Sequence, residues 1–418
     1  MLPSKLLKFA SSTIVARSAV AIPIAMVLAY SLPTSAYSQT PPPIASIAFS
    51  NDVEAALVRA LETLREGGIR AALREMDIVL EKNPNFQLGH LIKGDLLMAK
   101  SGAPLAFTGT TAQPELVASL QQEARARLTR YFDGPPIGYL PTALIQLAPE
   151  QRFVLLMDSD KSRLYVFKNI DGAPLLVTDF YISSGKKGVE KEREGDQKTP
   201  IGVYHITSAL PKEKLSDFYG TGAFPLNFPN EWDKRLGKTG SGIWIHGTPS
   251  TTYSRPPRAS DGCVVLTNDD FAAISKFVDP SITPIVIASK LEWKSPEQWI
   301  DAKSTFTDAL NKWQSDWEST NVDSYLANYS PQFEVDGKGF QDWALRKRRV
   351  GASKNFIKVD ISNLSVLEYP LPSSAPPLMM VTFDQNYQSN NVSSQMKKRQ
   401  YWQLENGQWK IIYEGGAG

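Results

Sequence analysis

The apolar residues of this chain change period twice along its length, which restricts it to a multidomain α+β fold. From about 51 to 132 they recur at helical spacing: Val53, Leu57, Leu61 and Leu64 fall at i, i+4, i+8 and i+11. Gly67-Gly68 ends that helix, and a second runs through Leu73, Met76 and Leu80 to Asn83-Pro84. A third carries Leu88, Leu91, Ile92 and Leu96, and a fourth Leu116, Leu120, Ala124 and Leu128. After Asp133-Gly134-Pro135-Pro136, read as a linker, the pattern becomes that of strands: 153–157, 163–167, 175–182, 202–206 and 283–288. This predicts a mostly β domain over 140–290. A second break falls at 291–296. From Ala302 the chain reads as one long helix through Leu310, Trp313 and Trp317 to Tyr325, Leu326 and Tyr329, followed by strands at 356–361, 378–383, 398–404 and 409–413. Asn406-Gly407 is a hairpin turn signal between the last two strands.

The first 36 residues read as a secretory signal. Lys5, Lys8 and Arg17 give a basic start, 19–32 is mostly apolar, and Thr34-Ser35-Ala36 offers small residues for cleavage before Tyr37. Residues 37–50, with Pro41-Pro42-Pro43, form a stiff linker, and export to the periplasm is expected. The 71–98 segment is similar to one tetratricopeptide unit, where a solenoid needs about three. A small, partly tetratricopeptide-like helical domain over 51–132 is the simpler reading, with His90 an ordinary residue of it. The one-helix-then-sheet order of 300–418 resembles the nuclear-transport-factor-2-like (NTF2-like) cone. Its tryptophans, Trp313, Trp317, Trp343, Trp402 and Trp409, read as cone core, with a glycan-stacking or protein-docking cavity as the sharper alternative.

Lys plus Arg number 45 and Asp plus Glu 43. That balance lacks the basic excess of a nucleic-acid binder. Three scattered histidines and one cysteine give no metal-ligand spacing, and no phosphate-binding or dinucleotide motif is present, so no cofactor or metal is expected. Exported proteins normally pair their cysteines. A lone Cys263 is therefore either a small buried hydrophobe or a working thiol.

The chemistry lies in Ile243-Trp244-Ile245-His246-Gly247-Thr248 and Ala259-Ser260-Asp261-Gly262-Cys263-Val264-Val265-Leu266. A histidine closes one apolar strand, and a cysteine behind a glycine opens another. A thiol nucleophile needs a nearby imidazole to take its proton, a group that fixes the imidazole tautomer and backbone N–H groups facing the oxyanion. These blocks resemble the L,D-transpeptidase (YkuD) catalytic domain, whose signature is a histidine followed at about this distance by Ser/Thr-His-Gly-Cys. The upstream segment Gly195-Asp196-Gln197-Lys198-Thr199-Pro200-Ile201-Gly202-Val203-Tyr204 also fits that family, and Ser183-Ser184-Gly185-Lys186 precedes it.

The resemblance implies action on peptidoglycan stem peptides. Cys263 is then the nucleophile, His246 the base and the Gly247 carbonyl its orienter. The N–H groups of Asp261, Gly262 and Cys263 face the oxyanion, and Ser260 shapes the turn. Two positions depart from the pattern. Asp261 stands where the signature has histidine, and its carboxylate opposes thiolate formation. Val265 stands where many relatives have Asn or Arg, so a polar substrate contact is missing. Arg255 and Arg258 are candidates to bind a substrate carboxylate instead. The variant signature looks closer to the branch that includes the amidase releasing wall-bound lipoprotein. Three functions follow as expectations: an L,D-transpeptidase, a carboxypeptidase- or amidase-type hydrolase trimming stems or freeing a bound lipoprotein, and a non-catalytic wall-binding adaptor.

Overall fold

The computed structural model describes residues 52–102 and 114–417, so the expected signal and the linker at 37–50 lie outside the described residues. Four helices come first: α1 (Asp52–Arg65), α2 (Ile69–Lys82), α3 (Gln87–Lys100) and α4 (Pro114–Phe132). Gly67 closes α1 at φ +81°, a conformation that disfavours other residues. Leu57, Met76, Leu88, Leu96 and Leu120 share one apolar cluster, and Tyr253, from far along the chain, packs against it. Among the described residues no helix is long and apolar enough to cross a membrane.

The strands that follow are β1 (Leu140–Pro141), β2 (Leu144–Gln146), β3 (Phe153–Asp158), β4 (Arg163–Ile170), β5 (Ala173–Tyr181), β6 (Ser184–Gly185), β7 (Gly202–His205), β8 (Leu210–Pro211) and β9 (Gly222–Pro225). After α5 (Glu231–Arg235) come β10 (Trp244–His246), β11 (Arg258–Ser260), β12 (Val264–Val265), α6 (Asn268–Ile274), β13 (Pro284–Ala288) and β14 (Trp293–Lys294). A five-stranded sheet has the order β5-β4-β3-β13-β7, with β3 and β13 parallel. A four-stranded sheet has the order β12-β10-β9-β8. His205 closes β7 as a half-buried sheet residue.

The unbroken apolar run of β3 is explained by its two faces. Leu155 and Met157 join Leu164, Val166, Ile285 and Ile287 in a core shared with the four-stranded sheet. Val154 and Leu156, one position out of step, join Tyr165, Phe167 and Val286 in a different core. Successive side chains of a strand point to opposite faces, so a sheet covered on both faces needs apolar residues at every position.

The second of those cores extends into the C-terminal region. That region contains α7 (Pro296–Glu318), α8 (Val322–Leu326), β15 (Glu334–Val335), β16 (Lys338–Gly339), α9 (Phe340–Gly351), β17 (Ile357–Glu368), β18 (Leu378–Ser389), β19 (Ser393–Glu405) and β20 (Gln408–Gly416). Leu367, Tyr369, Leu378, Tyr401 and Ile412 pack against Val154, Leu156 and Val286. β1, just after the first break, pairs with β14, inside the second: Leu140 with Lys294 and Pro141 with Trp293. β2 goes further and joins the C-terminal sheet, whose order is β2-β17-β18-β19-β20.

The single long helix expected from Ala302 to Tyr329 is two. Ser295 caps α7 with a capping box to Gln298. The helix stops at Glu318, and the Asn321 side chain accepts from Asp323 and Ser324 N–H to start α8. Asn406 and Gly407 both have positive φ, 48° and 77°, as a two-residue hairpin requires. Trp313 and Trp402 are fully buried core. Trp343 belongs to the same core, with Trp317 and Trp409 packed against it, and Trp317 and Trp343 also line a cavity of about 560 Å³ together with Tyr325, Tyr387, Lys347 and Glu414.

Candidate active site

The strand pairing brings the two chemical blocks together. β10 and β12 run parallel, with Ile245 beside Val264 and His246 beside Val265. Cys263, immediately before β12, therefore lies against the strand that ends in His246. Val265 is buried and bridges to Ser183.

Cys263 is half-buried. Its Sγ donates to the Gly242 carbonyl at 3.4 Å and accepts from the Trp244 backbone N–H. Burial pushes the thiol pKa up, while that N–H and the Arg255 guanidinium pull it down. His246 is buried, and its Nδ1 lies 2.7 Å from the Gly247 oxygen. A carbonyl only accepts, so Nδ1 carries the proton and Nε2 is the basic nitrogen. Burial pushes this imidazole down to about 4; the Gly247 contact opposes the shift and Arg255 adds to it. The resting pair is thus a neutral thiol and a neutral imidazole. No hydrogen bond joins them in this conformation, because Sγ is held by Gly242 and Trp244.

The turn before the cysteine is closely determined. Ser260 Oγ accepts from Gly262 N–H at 3.1 Å and donates to the Cys263 carbonyl at 2.6 Å. Gly262 has φ +130°, and a Cβ there would meet the Lys198 carbonyl oxygen at 2.8 Å. The Gly262 N–H is thus given to Ser260, whereas the N–H groups of Asp261 and Cys263 have no acceptor among the described residues. The Asp261 side chain is exposed and held by Lys186 Nζ and Gln197 Nε2, each at 3.0 Å. Lys186 holds its carboxyl below the usual range, and burial raises the thiol more than Asp261 does.

The upstream block supports this turn. Asp196 accepts from the backbone N–H groups of Glu192, Arg193 and Lys198 and from Lys191 Nζ. Thr199 Oγ1 accepts from Gly185 N–H at 2.9 Å. These are structural bonds that fix the loop under Gly262.

The two candidate arginines separate. Arg255 is half-buried, interacts electrostatically with Cys263, Asp261 and His246, and lies 4.9 Å from the Phe218 ring centroid. Arg258 is exposed on β11, paired in register with Ser184, and makes no ion pair among the described residues.

Sequence reasoning missed the residues that surround His246. Tyr219 meets its ring edge-on at 5.1 Å and Phe218 lies at 5.8 Å. Asn268 ties the neighbouring loops together: its Nδ2 donates to Thr248 O at 2.9 Å and its Oδ1 accepts from Thr221 N–H at 3.1 Å. A Cβ at Gly247 would come within 2.2 Å of that Oδ1, so Asn268 and Gly247 depend on each other.

Residues 152–287 match the L,D-transpeptidase catalytic domain of the YkuD type, and 305–415 match the Cds6 C-terminal NTF2-like domain. The chain therefore carries an L,D-transpeptidase catalytic domain joined to an NTF2-like domain. Among solved structures it is similar to Bd1075 of Bdellovibrio bacteriovorus, with 27% identity and a TM-score of 0.58 over 67% of this chain and 99% of that one. It is also similar to the helical cell shape determining protein Pgp2 of Campylobacter jejuni, with 25% identity and a TM-score of 0.56 over 65% of this chain and 95% of that one. No curated protein matches it significantly.

Proposed function

We propose that this protein is an exported L,D-transpeptidase that works through a Cys263 thioester on peptidoglycan stem peptides in the periplasm. The observation that carries the reading is the parallel β10–β12 pairing, which sets Cys263 beside the strand ending in a Gly247-oriented His246, with the Arg255 guanidinium acting on both.

The steps follow from the resting state. Substrate draws the thiol from the Gly242 carbonyl toward His246 Nε2, which takes its proton. Sγ attacks the carbonyl carbon at the L-centre of the third stem residue. The oxyanion develops against the Asp261 and Cys263 N–H groups, which have no acceptors among the described residues. The C–N bond breaks, imidazolium returns its proton to the departing D-residue amine, and a thioester remains. An acceptor amine then attacks the thioester, gives its proton to His246 and restores the thiol. Arg255 binds the carboxylate of the terminal D-residue. The likeness to Pgp2 supports a role in cell shape.

A second reading is hydrolysis, with water as acceptor, trimming stems or releasing a wall-bound lipoprotein. One observation favours it: Asp261, the carboxylate beside the thiol that would attract a cationic amine, is already paired with Lys186.

Purified protein incubated with stem tetrapeptides, with and without an acceptor amine, tests both. Release of D-alanine that requires Cys263 and His246, with a new amide only when acceptor is present, is the expected result. Free tripeptide acid with water alone selects hydrolysis, and no release by folded wild type contradicts both transfer and stem trimming.

A further inference from the structure

We propose that the N-terminal helical domain is part of the substrate site, because it clamps the loop that carries Arg255. This inference rests on the role given to Arg255 above.

Three consecutive residues of the loop between His246 and Cys263 are held, directly or through one intermediate, by that domain. The Tyr253 ring meets Phe86 edge-on at 4.8 Å and joins the helical cluster. Ser254 Oγ donates to Glu123 Oε1 at 2.6 Å. The Arg255 carbonyl accepts from Tyr181 Oη at 2.9 Å, and the Tyr181 ring lies 3.9 Å beneath the Arg127 guanidinium.

Glu123 and Arg127 are themselves fixed. Both are buried on α4 and paired with each other at 3.0 Å, and Arg127 reaches Glu54 of α1 at 2.8 Å. A carboxylate with so few accessible rotamers is a firm anchor for a loop hydroxyl, and a charge-assisted bond to it is stronger than a neutral one. An arginine that reads a carboxylate works only if its backbone is held, since a misplacement of about 1 Å can cost ~100-fold in rate. Tyr253, Ser254 and Glu123 are thus positioning residues acting through Arg255. They lie on the face of the loop turned to the helices and need not touch substrate.

The single cysteine makes the test clean, because Arg255 acts on the Cys263 thiol whether or not substrate is present. Iodoacetamide alkylation of Cys263 is measured across pH for Ser254→Ala, Tyr253→Ala, Arg255→Ala and the Tyr253→Ala/Arg255→Ala pair, each checked for wild-type folding by circular dichroism. Ser254→Ala removes one hydrogen bond and leaves the buried charges intact, so it guards against simple misfolding. The Arg255 variant is expected to slow alkylation about threefold near neutral pH. The two clamp variants are expected to show part of that slowing, and the pair no more than Arg255→Ala alone.

Clamp variants that alkylate at the wild-type rate, or that add their full effect in the Arg255→Ala background, overturn the proposal. In parallel, KM for a tetrapeptide ending in a free carboxylate is compared with KM for its C-terminal amide. Ser254→Ala is expected to raise the first about fivefold and leave the second unchanged, while any fall in kcat is the same for both donors. A rise in both alike overturns the clamp. Wild-type protein inert toward both donors contradicts the proposed reaction, while the alkylation series still decides the clamp.

Discussion

The two flanking domains hold the catalytic domain by opposite physics. On one side the contact is ionic and buried. Arg163 of β4 pairs with Glu54 of α1 at 2.8 Å and with Asp179 of β5 at 2.7 Å, and Arg130 of α4 reaches Asp179 at 2.7 Å. On the other side the contact is apolar: Leu367, Tyr369, Leu378 and Tyr401 complete a core with Val154 and Leu156 of β3. An apolar core is non-directional and tolerates small shifts. A buried ion-pair network fixes one geometry and fails if one member is lost. The directional contact is the one that abuts the loop carrying Arg255, where position matters for chemistry. The apolar contact lies across the five-stranded sheet from the core shared with β10 and β12.

Breaking the ionic side should have the largest effect. Arg163→Ala leaves Glu54 and Asp179 facing a buried void and is expected to cost about 3–5 kcal/mol in urea unfolding. Hydrogen exchange should show α1 and α4 losing protection before the C-terminal sheet does. Loss of protection in both regions together would show that the two contacts are not mechanically distinct.

Breaking the apolar side should cost somewhat less and act differently. Leu367 is fully buried, and Leu367→Ala is expected to destabilise by about 3 kcal/mol. Because that core is shared, the catalytic and NTF2-like domains should unfold in one lowered transition. Two separated calorimetric transitions would contradict a common core.

The smallest effect concerns pH at the site between them. An imidazole depressed to about 4 stays neutral, and able to act as base, well below the ordinary value near 6.5. The acid limb of kcat/KM is therefore expected near pH 4. His246 also makes folding pH-dependent. Its folded pKa lies below its unfolded one, so its contribution is complete above about 6.5 and is lost as pH falls toward 4. Arg255→Ala removes a cation that disfavours imidazolium and should move the acid limb upward by a fraction of a pH unit. A limb near 6.5 in wild type would contradict the buried, Arg255-facing imidazole.

The parts of the fold carried by long periodic segments were legible in sequence, including the helices of 52–132 and the doubly apolar β3 and β13. β2 was missed because three residues are too few to show alternation, and it pairs with a strand more than two hundred residues away. α9 was missed because, of its twelve residues, only Trp343 and Ala344 are buried and five are charged, so few apolar positions are left to show a period. The α7–α8 break was missed because the apolar period continues across Ser319–Asn321, and a cap at Asn321 decides it. At the site, Cys263, His246 and Gly262 stood out because their spacing has a chemical reason. Phe218, Tyr219 and Asn268 carry no such spacing. The Ser254–Glu123 bond joins residues 131 positions apart, which no local pattern encodes.

The central claim is that Cys263 accepts an acyl group from a stem peptide. Intact-protein mass spectrometry of the purified protein with stem tetrapeptides, wild type against Cys263→Ala, tests it most directly. The account predicts an adduct on wild type alone, equal in mass to the donor less its terminal D-residue. Folded wild type that carries no adduct and releases no product would contradict it and leave a wall-binding adaptor as the better description.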